Sequence, residues 1–166
     1  MGDPALADAG ESACIVVTPV GCLRLRANAN ALTAIDFVVD GAPRPPAHPV
    51  LAAAVAAIED YFAGRSWIFG LPLALRGSSW QLRVWEALQR IPPGETRTYG
   101  CLAVELGSGP RAVAAACRSN PIPIVIPCHR VVAAQGLGGY CGAREGAAVE
   151  IKRWLLEHER SAGVSR

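Results

Sequence analysis

The sequence predicts an α+β chain in two parts: a small N-terminal α/β unit over residues 1–75 and a mainly helical C-terminal unit over residues 76–166 containing a helix-turn-helix. Three observations predict it. Residues 12–39 are β-branched segments broken by Pro, Gly and Asn turns, which is a strand-rich pattern. Residues 49–63 and 78–91 carry apolar side chains at helical spacing. Just over half the residues (51%) are hydrophobic and only 18% charged, enough apolar surface for a packed core and too little charge for a disordered chain.

In the first part, Cys14–Thr18 and Cys22–Ala27 form a hairpin across Pro19-Val20-Gly21, and Leu32–Val39 adds a third strand after the Asn28-Ala29-Asn30 turn. Residues 41–49 contain four prolines and make a loop. A helix is expected from Pro49 to Ala63, with Leu51, Val55, Ile58 and Phe62 on one face and Gly64 closing it. No residue here suggests chemistry, so the unit is expected to support the other one.

In the second part, Ser78-Ser79-Trp80-Gln81 has capping-box spacing ahead of a stripe of Trp80, Val84, Trp85, Leu88 and Ile91, and Pro92-Pro93 stops the helix. Short helices over Thr98–Leu106 and Pro110–Asn120 flank Gly107-Ser108-Gly109. This is the spacing of a helix-turn-helix, although a plain αα-hairpin is the commoner outcome of such a pattern. Ala112, Ala114, Ala115 and Ala116 make the second helix smooth, fit either for close helix packing or for a narrow groove. Ile122–Ile126 is expected to be buried and extended. Gly136-Leu137-Gly138-Gly139 is a loop, and a last helix over Ala147–Arg160 presents Ile151, Trp154, Leu155 and His158 on one face.

The net charge of +2 is unevenly spread. Residues 1–75 hold four arginines against seven acids, a net of −3; residues 76–166 hold eleven arginines and Lys152 against seven acids, a net of +5. A basic second half is compatible with a phosphate backbone as partner. No apolar run approaches the roughly 18–20 residues of a membrane span, and Met1 to Gly10 lacks the basic and apolar regions of a signal peptide. A cytoplasmic protein is expected. The six cysteines (Cys14, Cys22, Cys101, Cys117, Cys128 and Cys141) are then read as thiols; with no C-x-x-C pair and no standard ligand spacing around Cys14, Cys22 and His48, no metal is expected. Five of them read as small buried hydrophobes.

Cys128 differs through its neighbours in Ile126-Pro127-Cys128-His129-Arg130-Val131. A cysteine attacks as thiolate and needs a proton acceptor or a positive charge nearby. On an extended chain His129 points away from Cys128, so it reaches the sulfur only at a bend or through a water. A carboxylate of the last helix, Glu157 or Glu159, is placed to orient its ring. A Cys-His dipeptide taken alone is more often structural than catalytic.

The ordered motifs go further. Thr18-Pro19-Val20-Gly21, Trp80-Gln81 with Val84-Trp85 and Ala87-Leu88, and Ile91-Pro92-x-Gly94-x-Thr96 with Thr98-Tyr99-x-x-Leu102-Ala103 come first. Arg111-Ala112-Val113, Asn120-Pro121, Ile126–Val132, Gly139-Tyr140 and Lys152-x-x-Leu155-Leu156-x-x-Glu159 follow. This series, covering residues 12 to 160, resembles the O6-alkylguanine-DNA alkyltransferase (methylated-DNA–protein-cysteine methyltransferase) family.

The resemblance implies a ribonuclease-H-like N-terminal unit and a C-terminal unit that repairs DNA by direct reversal. Cys128 would take the alkyl group of O6-alkylguanine, or of O4-alkylthymine, irreversibly and in a single turnover. His129 would act through a water, Glu159 would orient it, and Asn120 would hold the local backbone. Tyr99 would donate its hydroxyl to guanine N3 and the Cys141 backbone N–H would bond O6, where charge develops. Tyr140, Cys141, Val131 and Trp80 would surround the base. The nucleotide must leave the duplex for its alkyl carbon to be reached. Arg111 would fill the gap from the minor groove, with Gln81, Gly100 and Arg130 also toward the DNA. Double-stranded DNA is the expected partner, with no cofactor, no membrane and a monomeric chain. Where the family has Ser or Ala after the tyrosine this chain has Cys141, and the stretch from there to Lys152 is longer.

Three rival functions make different demands. A lesion-flagging relative would lack the cysteine that is present. A cysteine hydrolase would need an oxyanion hole that no motif marks. A DNA-binding regulator would need a further regulatory segment.

Overall fold

The computed structural model describes residues 10–163; the stretch read above as lacking signal-peptide character lies, up to Ala9, outside them. The chain divides into two compact units between Ala74 and Leu75.

The first unit is built on an antiparallel meander, β1 (Ser12–Thr18), β2 (Gly21–Ala27) and β3 (Leu32–Val38), paired in that order. Thr18 pairs with Gly21, so Pro19-Val20 form a two-residue hairpin turn, with Gly21 at φ +107°. The Asn28 side chain accepts from the N–H groups of Asn30 and Ala31, both at 2.9 Å, and returns the chain into β3.

Helix α1 (Pro49–Phe62) starts at Pro49, with His48 Nδ1 accepting from Val50 N–H at 3.2 Å. Ala63 caps it and Gly64 follows at φ +69°. Its buried residues are Leu51, Ala54, Ile58 and Tyr61, not the expected Leu51, Val55, Ile58 and Phe62. The stripe is displaced because Tyr61 anchors an aromatic cluster: edge-on to Phe62 and Trp67, and stacked on Phe69 at 5.5 Å.

The second unit opens with α2 (Ser79–Gln89). The expected capping box is made, Ser78 Oγ accepting from Gln81 N–H while Gln81 Oε1 accepts from Ser78 N–H. Of the expected stripe, Val84, Trp85, Leu88 and Ile91 are buried and Trp80 is half-buried. Helices α3 (Tyr99–Leu106) and α4 (Pro110–Arg118) follow, with Gly107 capping α3 at φ +67°. Two indoles tie α4 to α2: Trp80 Nε1 donates to Ala112 O at 3.1 Å and Trp85 Nε1 to Ala116 O at 2.8 Å. The alanines let α4 come this close. A two-residue parallel pair, β4 (Arg97–Thr98) with β5 (Val131–Val132), was not anticipated.

Two further segments differ from expectation. Ile122–Ile126 is buried but not extended: Ile126 N–H reaches back to Ile122 O at 2.9 Å and Ile124 sits at φ +76°. Prolines 121, 123 and 127 restrict the backbone between them and favour this compact turn. The last helix, α5 (Ala147–Gly163), buries Val149, Lys152, Leu155, Leu156 and Glu159. Ile151, Trp154 and His158 are only half-buried, because the buried face is centred on two charged residues that find partners inside.

Candidate active site

Cys128 ends up at a bend. Residues Cys128–Arg130 form one 3-10 turn, entered by Cys128 N–H to Ile126 O at 2.8 Å and Arg130 N–H to Pro127 O at 3.0 Å. Side chains in such a turn fan out rather than alternate, so Cys128, His129 and Arg130 leave in three directions and all three are buried.

Glu159, from α5, collects two of them. Its Oε1 lies 2.7 Å from His129 Nε2 and accepts from Arg130 Nη2 at 2.9 Å. Its Oε2 accepts from Arg130 Nε at 3.0 Å and from Gly94 N–H at 3.1 Å. Arg130 Nη1 completes the lattice on Ile91 O at 2.6 Å. Burial by itself would raise the Glu159 carboxyl, but the hydrogen bonds and charge of its partners win, and it is held well below the usual carboxylate range. Burial pushes His129 down, so it stays neutral at pH 7 with Glu159 supporting it. With Nε2 donating to Glu159, Nδ1 carries the lone pair; it is buried and has no hydrogen-bond partner among the described residues.

Asn120 braces the turn ahead of the nucleophile. Its Nδ2 donates to Ile126 O at 2.8 Å and its Oδ1 accepts from Ile122 N–H at 3.0 Å. Burial pushes the Cys128 thiol up, while a hydrogen bond from Asn120 and the charge of Lys152 pull it down. Lys152 is fully buried, and its Nζ donates to Val131 O at 2.6 Å and Gly139 O at 2.9 Å. Burial lowers it to about 8.

A cavity of about 160 Å³ opens beside the Cys128 thiol, bounded by Tyr99, Ala114, Cys117, Arg118 and residues 139–144. Tyr99 is the first residue of α3, its approach set by Thr98 Oγ1 capping Cys101 N–H at 3.1 Å. Burial pushes its hydroxyl up, so it remains a donor at any ordinary pH. The far wall is a tight turn: Tyr140 N–H donates to Ala143 O at 2.8 Å and Ala143 N–H to Tyr140 O at 2.9 Å. Cys141 (φ +49°) and Gly142 (φ +83°) are both left-handed, the signature of a type I′ turn. Gly139 is required beneath it, since a Cβ there would meet Ala143 O at 2.6 Å. All six cysteines are free thiols, and Cys101 and Cys141 are exposed rather than buried as expected; desolvation at the cavity pushes the thiols of Cys117 and Cys141 up to about 12.

The structure therefore brings Cys128, His129, Glu159, Asn120, Tyr99, Arg130, Tyr140 and Cys141 together. Val131 contributes its carbonyl to Lys152, and Trp80 binds α4; neither lines the cavity. Gln81 spends its amide on Ser78 and on Ser119 Oγ at 2.9 Å. Gly100 lies in the first turn of α3, and Arg111 is exposed at the second position of α4. Lys152, Gly94, Cys117 and Arg118 are site residues that sequence reasoning did not assign. Lys152 carried a signal, being the chain's single lysine and two helical turns before Glu159. Among the described residues no three His, Cys, Asp or Glu side chains are grouped to hold a metal ion.

Comparison with known proteins settles the family. The model for the 6-O-methylguanine DNA methyltransferase DNA-binding domain matches residues 79–161, which hold nearly the whole site. A methylated-DNA–protein-cysteine methyltransferase of Mycobacterium bovis is 40% identical over 155 residues, covering 87% of this chain and 89% of that one. The chain belongs to the methylated-DNA–protein-cysteine methyltransferase family. The Mycobacterium tuberculosis O6-methylguanine methyltransferase superposes with a TM-score of 0.81 at 36% identity, over 94% of this chain and 96% of that one. The Mycobacterium tuberculosis OGT in complex with DNA gives 0.78 at 39% identity, over 89% and 92%. As a methyltransferase of this family, the chain binds DNA and reverses alkylation damage directly, by alkyl transfer to a cysteine.

Proposed function

We propose that Cys128 is the accepting cysteine and that O6-alkylguanine, with O4-alkylthymine as a second substrate, is the lesion. The observation that carries this is the His129–Glu159 pair next to Cys128 in the chain: Nε2 is committed to the carboxylate at 2.7 Å, which leaves the buried Nδ1, without a partner among the described residues, as the available base. Through a bridging water Nδ1 takes the Cys128 proton. The thiolate attacks the alkyl carbon in line; the S–C bond forms, the C–O6 bond breaks, and the electron pair and a proton go to the guanine. Nothing in the site cleaves the resulting thioether, so each molecule acts once.

Tyr99 donates to guanine N3, and the Cys141 N–H, in the turn that walls the cavity, donates to O6. These donors meet charge that grows only as the bond breaks, and so favour the transition state over the bound lesion. Asn120 and Lys152 hold the backbone on either side of the nucleophile.

Helices α3 and α4 act as a helix-turn-helix that enters the minor groove, with Arg111 occupying the stack left by the flipped nucleotide. Gln81 and Gly100 lie toward the DNA; Arg130, expected there too, is buried with its guanidinium committed to Glu159 and Ile91 O, and so holds the site together from inside instead. The first unit, a ribonuclease-H-like meander with one helix, supports the second. The protein works as a cytoplasmic monomer without a cofactor.

Intact-mass analysis after mixing with duplex DNA carrying O6-methylguanine tests this. One methyl on Cys128, absent in Cys128→Ala, is the expected result; repeated turnover with no mass gain would overturn it.

A further inference from the structure

Two cations stand on the lip of the Cys128 cavity, and the chemistry above uses neither. Arg118 is at the end of α4 and Arg144 directly follows the type I′ turn; both are exposed and both line the cavity. Among the described residues neither guanidinium has an ion-pair or hydrogen-bond partner, and no Asp or Glu lines the cavity. The stem of Arg118 passes beside the turn: a Cβ on Gly142 would lie 3.4 Å from its Cγ and 3.5 Å from its Cδ.

We propose that Arg118 and Arg144 make this site selective for O6 adducts that carry a carboxylate on the transferred carbon, such as O6-carboxymethylguanine. The proposal deepens the assignment of Cys128 as acceptor and rests on it. In-line attack fixes the alkyl carbon between Sγ and O6, so any further substituent on that carbon must fit in the remaining space of a small cavity. A carboxylate placed there without donors would be strongly disfavoured. Two unpaired guanidiniums offer planar forks that match it, and charge-assisted hydrogen bonds of that kind are about twice as strong as neutral ones. The chemistry balances as for a methyl group: the S–CH2 bond forms, the CH2–O6 bond breaks, the guanine takes the electron pair and a proton. The carboxylate is unchanged, and the product is S-carboxymethyl-Cys128.

The same cations could serve DNA phosphates instead, and the test separates the two roles. Rates of mass gain on Cys128 are measured for O6-methyl-, O6-carboxymethyl- and O6-carbamoylmethylguanine, each in a duplex and as the free base. The carbamoylmethyl group is the neutral isostere, and intrinsic reactivity cancels when its rate ratio to carboxymethyl is compared between proteins. The double variant Arg118→Gln, Arg144→Gln should lower that ratio about ten-fold in both duplex and free base, and Arg118→Lys, Arg144→Lys should restore part of it. An unchanged ratio, or a slowing shared by all three adducts and confined to duplexes, would overturn the proposal in favour of phosphate contacts. Methyl transfer to Cys128 with an unchanged ratio overturns this proposal alone. No methyl on Cys128 in the unsubstituted protein overturns the acceptor assignment and this proposal with it.

Discussion

His129 Nε2 and Glu159 Oε1 lie 2.7 Å apart with both side chains fully buried, and the same carboxylate takes two hydrogen bonds from Arg130 and one from Gly94 N–H. Three parts of the chain, far apart in sequence, thus depend on one side chain. Replacing it with glutamine leaves the Arg130 charge buried without compensation, a change that costs about 3–5 kcal/mol in comparable sites. It also allows the wrong imidazole tautomer. Glu159→Gln should therefore lower the urea midpoint sharply and slow methyl transfer by a factor on the order of a hundred.

The pH dependence of stability has a definite sign. The Glu159 carboxyl is depressed in the folded protein, so its stabilisation is complete above the unfolded value of about 4.3 and is lost as pH falls through the folded value. His129 is depressed too; the unfolded imidazole gains a proton near about 6.5 while the buried one does not, which again favours unfolding as pH drops. Stability should decline from about pH 6.5 downward, and Glu159→Gln should flatten the part below about 4.3. Denaturant titrations between pH 3 and 8 check both; an acid limb of equal slope in the two proteins would refute the assignment.

Lys152 sets a different limb. Its ammonium is buried, lowered to about 8, and its charge pulls the Cys128 thiol down. Unfolded lysine titrates near about 10.4, so the unfolded chain binds more protons between the two values, and this group's contribution to stability grows as pH rises through that window. In Lys152→Met the positive charge is gone and the carbonyls of Val131 and Gly139 lose their donor. The profile of Cys128 alkylation against pH should move to higher pH, with a slower rate at pH 7. A uniform loss of rate with an unmoved profile would mean the lysine only braces the backbone.

Much of this site was legible in the sequence because its parts are local. The capping box at Ser78–Gln81, Pro110 opening α4, and the Pro127-Cys128-His129-Arg130 run each announce themselves within a few residues. Glu159 was reachable as a carboxylate on the last helix. What was not legible depends on tertiary partners. Glu159 and Lys152 look like surface charges until Arg130, Gly94 and two carbonyls are brought to them, and so the buried face of α5 was misplaced. Ile122–Ile126 has the composition of a strand, but its prolines and Ile124 in the left-handed region fold it into a turn. In α1, the aromatic cluster around Tyr61 overrode a plausible stripe.

Cys141 occupies a conformation suited to Asn or Gly. At φ +49° in a type I′ turn it pays a strain of about 1 kcal/mol that Asn or Gly avoids. The proposed chemistry uses its backbone N–H and leaves its thiol idle. Cys141→Asn should therefore raise the unfolding free energy by roughly 0.5–1 kcal/mol and keep methyl transfer, as read by thermal melts and by mass. Loss of transfer with an intact fold would show that the thiol takes part.

Arg111 is exposed on the second position of α4 and does not line the Cys128 cavity. Its proposed task is confined to duplex DNA: occupying the vacated stack offsets the few kcal/mol spent in extruding the nucleotide. The free base incurs no such cost. Arg111→Ala should accordingly slow methyl transfer from duplex O6-methylguanine by about ten-fold or more while transfer from the free base stays within about two-fold. Binding to undamaged duplex should weaken as well, with a shallower dependence on salt, because the protein brings one cation fewer to the polyanion. Equal slowing of duplex and free base would place Arg111 in the folding or shaping of α4 instead, and would take nucleotide flipping off this residue.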